Sequence, residues 1–143
     1  MNISEIAWKE SLDLGYSLID THHKKLISLI NELAKILAGD QETYKNNIGK
    51  VLKGIVDYTI YHFNAEEQVM ARYKYPELEA HKKSHSDFIA VLKENHLGLL
   101  QGEMEKGIVF YTHLCDWLLE HIARTDKKWA LYIAEKYPNA KIE

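Results

Sequence analysis

The chain has 143 residues, of which 46% are hydrophobic and 27% charged, a balance typical of one globular domain with a buried core. Its formal net charge of -3, with 18 basic and 21 acidic residues spread along the sequence, excludes an electrostatic surface for nucleic acid or an anionic membrane. No apolar run approaches the roughly 20 residues that cross a bilayer. The segment from Met1 to Gly15 contains charged residues, whereas a secretory signal has an uninterrupted apolar stretch. We therefore expect a cytoplasmic protein without membrane insertion.

Two prolines and seven glycines interrupt the sequence, and the segments between them repeat apolar residues at steps of three and four, the period of an amphipathic helix. The second helix is expected to break at Lys74-Tyr75-Pro76, because a residue before proline is pushed out of the helical region. Short connections and one apolar stripe per helix predict an all-α, antiparallel up-down four-helix bundle with an N-terminal arm and a short C-terminal helix. We interpret residues 1–143 as a single domain. The predicted helices run from about Ser17 to Ala38, Glu42 to Tyr73, Pro76 to Leu100, Glu103 to Arg124 and Lys127 to Lys136.

Polar side chains interrupt the apolar stripe on each of the four long helices. Residues four apart project from one face of a helix, and this spacing places a polar pair on the inward face of both the second and the third helix. A polar group that faces a core must find a partner or lose several kcal/mol of solvation. Convergence of such groups from different helices is how metal sites are built inside bundles. The six inward-facing residues are His23, His62, Glu66, His81, His85 and His121.

Asp126 does not fit this pattern on a regular helix. It follows His121 by five residues, and a step of five turns about 140° around an α-helix, so the two side chains would not share a face. A fourth helix that ends near Arg124 would let Asp126 start the tail helix and swing inward. Because aspartate is a favoured N-cap residue, periodicity alone favours a capping role for Asp126.

The ordered set of histidines and carboxylates nevertheless resembles the hemerythrin family, in particular its single-domain bacterial members. The resemblance covers most of the chain and includes His121 followed five residues later by Asp126. One departure is His22, which stands where the family often has glutamine and leaves two neighbouring histidines. The other matching residues are Trp8 and Gly15, the segment from Ile19 to Leu26, His62-Phe63, Glu66-Glu67, Tyr75-Pro76, Trp117-Leu118 and His121-Ile122.

The resemblance implies a non-haem di-iron centre that binds dioxygen reversibly. His81, His85 and His121 would bind one iron and His23 and His62 the other, with Glu66, Asp126 and an oxo or hydroxo group as bridges. Taking about six positions per iron, five histidines, two bridging carboxylates and the solvent-derived bridge leave one position open. That position lies on the iron that carries two histidines, and dioxygen would bind there.

Five apolar or aromatic residues near the ligands are candidates for an oxygen pocket, since a dry, apolar site limits loss of the bound ligand. They are Leu118, Ile122, Trp117, Phe63 and Tyr58.

Other polar residues are interpreted more simply. His96 lies too far along the third helix to share the centre, and His113 falls off the face of His121. Glu67 is expected to be a solvated charge. Cys115 is expected to be a small buried residue, and as the single cysteine it excludes an internal disulfide.

Two classes of function remain open at this point. The first is an oxygen-binding protein for storage, transport or delivery to an oxidase or monooxygenase. The second is a di-iron redox enzyme, such as an oxidase, a peroxidase or a nitric-oxide-reducing catalyst, or an oxygen sensor that acts through a partner. No additional acid or base is placed near the centre on the inward faces, so we predict a binding protein and not an enzyme. Zinc or manganese in place of iron is a third alternative.

Overall fold

The computed structural model describes residues 3–143, and within that range the regular structure is entirely helical. A short 3-10 turn, Glu10–Leu12, lies in the N-terminal arm. A π-helical turn, His121–Asp126, joins the last two helices. Within the described residues, no helix is both long and apolar enough to cross a membrane. The helices are α1 (Ser17–Leu37), α2 (Gln41–Arg72), α3 (Leu78–Gln101), α4 (Met104–Glu120) and α5 (Lys127–Lys136).

The four long helices form the predicted antiparallel bundle, so the fold class is confirmed. Helix α1 packs against α2 and α4, and α2 packs against α3. An open groove of about 960 Å³ lies between α3 and α4, with Phe88, Leu114 and Trp117 in its lining. The predicted boundaries of the first three helices lie within two residues of the observed ones.

The apolar core is divided into two clusters, and their division positions the site. The bundle cluster fills most of the space between the four helices and includes Leu26, Ile48 and Leu114. The tail cluster surrounds α5 and includes Met70 and Trp129. A layer of polar residues therefore lies between two regions of packed hydrocarbon.

The ends of α2 have specific local causes. Asp40 caps its first turn, with the carboxylate accepting a hydrogen bond of 2.8 Å from the Thr43 backbone N–H. At the other end Lys74 adopts a left-handed conformation (φ 56°), and Tyr75 N–H donates to the Met70 carbonyl at 2.9 Å. This is a Schellman ending. The break expected at Lys74-Tyr75-Pro76 is present, but Pro76 lies in a turn before α3 and not in its first turn, because α3 begins at Leu78.

At Gly107, helix α4 lies close to α1 and α2. A Cβ atom at this position would lie 2.7 Å from Tyr44 Cε2 and 2.9 Å from Leu37 Cδ2. Tyr44 cannot easily move aside, because it is buried and its hydroxyl donates a hydrogen bond to the Leu99 carbonyl at 2.8 Å.

We therefore expect Gly107→Ala to lower the free energy of unfolding by about 1–3 kcal/mol, the usual penalty for overpacking a core. Gly98→Ala is the matched control, since its Cβ would meet nothing within 4 Å in another helix. It should raise stability by up to about 1 kcal/mol through helix propensity. Urea denaturation of proteins with equal metal content measures both. Equal effects of the two substitutions would contradict the close packing at Gly107.

Candidate metal centre

A buried polar layer between the two apolar clusters contains all seven residues that the sequence singled out. Each of these seven residues is at most 4% exposed. Their ligand atoms form two groups in which all atoms lie within 4.8 Å of one another. The three-histidine side consists of His81, His85 and His121, and the two-histidine side consists of His23 and His62. Glu66 and Asp126 belong to both groups.

Regular helical spacing positions five of these residues. On α2, His62 and Glu66 are four apart, and their Nε2 and Oε2 atoms lie 3.4 Å apart. On α3, His81 and His85 repeat the spacing, with ring centroids 4.4 Å apart. His23 lies on α1 between Ile19 of the tail cluster and Leu26 of the bundle cluster.

A π-helical turn positions Asp126. Its hydrogen bonds span five residues instead of four, so residues five apart come to lie near one face. His121 Nε2 and Asp126 Oδ1 are therefore 3.3 Å apart. The predicted helix end near Arg124 is wrong, because α4 continues through this turn into α5. The capping role favoured for Asp126 is also wrong: its backbone is helical (φ -70°, ψ -35°) and its side chain caps no N–H.

The Glu66 carboxylate reaches both sides of the centre. Its Oε1 lies 3.3 Å from His85 Nε2 on the three-histidine side. Its Oε2 lies 3.2 Å from His23 Nε2 and 3.4 Å from His62 Nε2 on the two-histidine side. One oxygen therefore faces each group.

Asp126 is arranged in the same way. Its Oδ1 lies 3.1 Å from His81 Nε2 and 3.3 Å from His121 Nε2. Its Oδ2 lies 3.2 Å from His23 Nε2. The indole N–H of Trp129, at the centre of the tail cluster, donates to Oδ1 at 3.3 Å and orients the carboxylate.

The donor atoms fit a pair of metal ions. Buried polar atoms are nearly always hydrogen-bonded, yet several atoms in this layer, although they lie close to one another, are not oriented to form a hydrogen bond. Five nitrogen donors and two carboxylates that each face both sides suit a dinuclear non-haem iron site, in which imidazole and carboxylate are favoured ligands. The unpartnered atoms of the layer are His23 Nδ1 and Nε2, both Glu66 oxygens, His81 Nε2 and Asp126 Oδ2.

The pKa shifts of the layer also favour a bound cation. Burial raises the pKa of the Glu66 carboxyl, but His62 and His23 outweigh it and hold that pKa well below its usual range. Burial lowers the pKa of His23, but the adjacent Asp126 and Glu66 carboxylates outweigh it and raise the pKa to about 10. The His23 imidazole therefore lies between two buried carboxylates, each with an oxygen 3.2 Å from its Nε2. A bound cation would compensate the charge of both carboxylates.

Two residues outside the set of seven contact the second ring nitrogen of a candidate ligand and orient its ring. Glu67 Oε2 lies 2.8 Å from His85 Nδ1, so Glu67 is not the solvated charge expected from its helical position. Its side chain is only 23% exposed. His22 is buried, and its Nδ1 lies 3.2 Å from His62 Nδ1. A partner on one ring nitrogen directs the other nitrogen to the metal.

The five candidate pocket residues surround the layer in different ways. Phe63 stacks on His85 at 3.7 Å between centroids. Trp117 stacks on His121 at 4.3 Å and also lines the groove between α3 and α4. Tyr58 packs edge-on against His22, whereas Leu118 and Ile122 are buried in the bundle cluster.

The structure places the remaining polar candidates outside both groups, as expected. His96 is half-buried and His113 is exposed. Cys115 is half-buried, and burial raises the pKa of its thiol.

Comparisons with known proteins converge on one family. Residues 14–132 match the model of the hemerythrin HHE cation binding domain. The chain is 33% identical over 125 residues to the bacteriohemerythrin of Stenotrophomonas maltophilia (strain R551-3), covering 87% of this chain and 79% of that protein. It is 34% identical over 122 residues to myohemerythrin-1 of Phascolopsis gouldii, covering 85% and 89%. A crystal structure of wild-type hemerythrin shares the fold, with a TM-score of 0.77, 24% identity and coverage of 90% and 97%.

The neighbouring histidines of α1 should differ in their effect on metal content. His23→Ala should lower bound iron by about one ion per chain, because its Nε2 faces both carboxylates, whereas His22→Ala should keep about two. Iron per chain after anaerobic loading measures this difference, and circular dichroism controls for folding. Loss of iron in His22→Ala with full loading of His23→Ala would reverse the assignment.

Glu67→Gln should release iron to a chelator roughly 10- to 100-fold faster, because the carboxylate that orients His85 is lost. Asp57→Asn is the control on the same helix, since Asp57 makes only an exposed ion pair with Lys53 at 2.6 Å. Its release rate should match that of the unmodified protein. Equal rates for all three proteins would show that Glu67 does not support the site.

Proposed function

The chain belongs to the hemerythrin family, and we propose that it binds dioxygen reversibly at a non-haem di-iron centre held by the seven buried residues. His81, His85 and His121 would hold one iron, and His23 and His62 the other. Glu66 and Asp126 would bridge them, together with an oxo or hydroxo group. The observation that carries this proposal is the position of the two carboxylates, each with one oxygen towards either group of histidines.

The two groups differ by one histidine, and this difference supports a single binding position for an external ligand. With about six positions per iron, the three-histidine side is filled by its histidines and the shared bridges. The two-histidine side has one protein ligand fewer. A bound pair of ferrous ions would supply two electrons and one open position on that side.

Apolar side chains border the layer and would keep it dry. Leu118 and Ile122 flank His121 along the chain and are buried, and the ring of Phe63 stacks on His85. Exclusion of water limits proton delivery and slows loss of a reduced oxygen species. We propose these three as the inner oxygen pocket. Trp117 and Tyr58 would protect the layer from outside, since each contacts a histidine and is itself only half-buried.

Binding fits the site better than catalysis. Among the described residues, the buried histidine, threonine and carboxylate side chains besides the seven candidate ligands are His22 and Thr59, and the nearby Glu67 carboxylate is already paired with His85. His22 faces His62, and a threonine hydroxyl is a poor general base at neutral pH. We therefore propose a carrier that stores dioxygen or delivers it to an oxidase or monooxygenase.

Anaerobic loading with ferrous iron should give about two irons per chain. Exposure to oxygen should produce a new charge-transfer absorption that disappears when oxygen is removed, because a carrier releases its ligand unchanged. Absorption spectra and stopped-flow mixing measure both steps, and zinc-loaded protein is the colourless control. Rapid, irreversible conversion to the diferric state with turnover would contradict a carrier. A metal-free or mononuclear protein would contradict the centre itself.

A further inference from the structure

Thr59 has a buried hydroxyl for which the described residues offer no hydrogen-bond partner. The residue is 0% exposed, and its Oγ1 is the only unpartnered buried side-chain atom, among the described residues, that does not belong to a candidate metal ligand. An unpaired buried hydroxyl is costly, since folding removes its bonds to water without replacement. A bound ligand could supply the missing hydrogen-bond partner.

The usual local partner is not used. A threonine within a helix commonly donates to the carbonyl four residues earlier. Thr112 does so in this protein, with its Oγ1 3.1 Å from the Ile108 carbonyl. Thr59 lies in the middle of α2 and makes no such bond. Its hydroxyl is therefore available to a ligand.

The position of Thr59 indicates which ligand. It lies three residues before His62 on the same inward face, roughly 4.5 Å along the axis. Residues three and four apart are neighbours on one face of a helix, so Thr59 and Glu66 flank His62 on opposite sides along α2. Thr59 therefore lies next to the two-histidine side, where one protein ligand is lacking.

The other helices present apolar residues at the same height along the bundle axis as Thr59. Because the helices are antiparallel, the residues level with Thr59 come after His23 on α1, after His85 on α3 and before His121 on α4. They are Leu26, Ile27, Phe88 and Leu118, all buried in the bundle cluster. A small ligand that enters here meets hydrocarbon on three helices and one hydroxyl on the fourth.

We propose that the Thr59 hydroxyl donates a hydrogen bond to the small external ligand on the two-histidine side, dioxygen in function or a linear anion such as azide as a probe. The proposal rests on the proposed di-iron function. Thr59 would then be a binding residue that slows ligand release and selects ligands able to accept a hydrogen bond.

The test compares full-length, iron-loaded protein with Thr59→Val, which keeps the shape and removes the hydroxyl. Azide titration of the diferric form should give a Kd roughly 3- to 10-fold higher for Thr59→Val, the effect of one lost hydrogen bond. Thr59→Ser keeps the hydroxyl and should stay within about twofold of the unmodified protein. Thr112→Val, which removes the exposed and internally bonded hydroxyl, is the matched control and should leave azide binding unchanged.

A spectroscopic readout separates a hydrogen bond from a change in packing. The infrared asymmetric stretch of bound azide should shift between H2O and D2O in the unmodified protein and in Thr59→Ser. The shift should shrink in Thr59→Val. If Thr59→Val does not load iron, Thr59→Ala is measured in its place, and the absence of an isotope shift in the unmodified protein alone would overturn the proposal.

Metal-free protein gives a further, independent readout. Thr59→Val should keep or raise the thermal denaturation midpoint, because it removes an unpaired buried hydroxyl. A lower midpoint together with unchanged azide affinity would assign Thr59 a purely structural role and overturn the proposal. Failure of the unmodified protein to hold about two irons or to bind oxygen would instead refute the proposed function. Normal oxygen binding with identical Thr59→Val behaviour would refute only the role of Thr59.

Discussion

Two carboxylates buried in the middle of a helical bundle are the constraint on which the rest of this structure depends. Burial of an ion in a protein interior costs several kcal/mol unless nearby charge compensates it. In this chain five imidazoles surround Glu66 and Asp126, and the two carboxylates raise the pKa of His23 to about 10. The residues of the two apolar clusters on either side are buried. A pair of cations would compensate the charge of both carboxylates.

The surroundings of the two histidine groups differ. On the three-histidine side, Glu67 supports His85 with a carboxylate, and Phe63 and Trp117 cover two rings. On the two-histidine side, the outer partner of His62 is the ring of His22, whose pKa is lowered by burial. A charged partner raises the basicity of the imidazole that it supports. The three-histidine side therefore has the charged outer partner, Glu67, and the two-histidine side does not.

The π-helical turn shows how a local irregularity serves the site. A regular helix through residues 121–126 would direct Asp126 about 140° away from His121. The wider turn aligns them and carries the chain into α5, where Trp129 donates to the same carboxylate. Short π-helical segments of this kind are often found at functional sites. The tail helix therefore does more than cover the end of the bundle, because its tryptophan completes the tail cluster and orients a bridging group.

Periodicity in the sequence was sufficient to predict the helices, the bundle and the inward faces of His23, His62, Glu66, His81, His85 and His121. These are properties of one helix at a time, since a step of three or four residues determines the face on which a side chain lies. Family resemblance, and not periodicity, identified Asp126 as a bridge. Only the tertiary structure decided the π-helical turn, the pairing of Glu67 with His85 and of His22 with His62, and the unpartnered hydroxyl of Thr59. The two pairings and the unpartnered hydroxyl depend on the distance and rotation between neighbouring helices, and the π-helical turn departs from the regular period on which the sequence-based prediction relies.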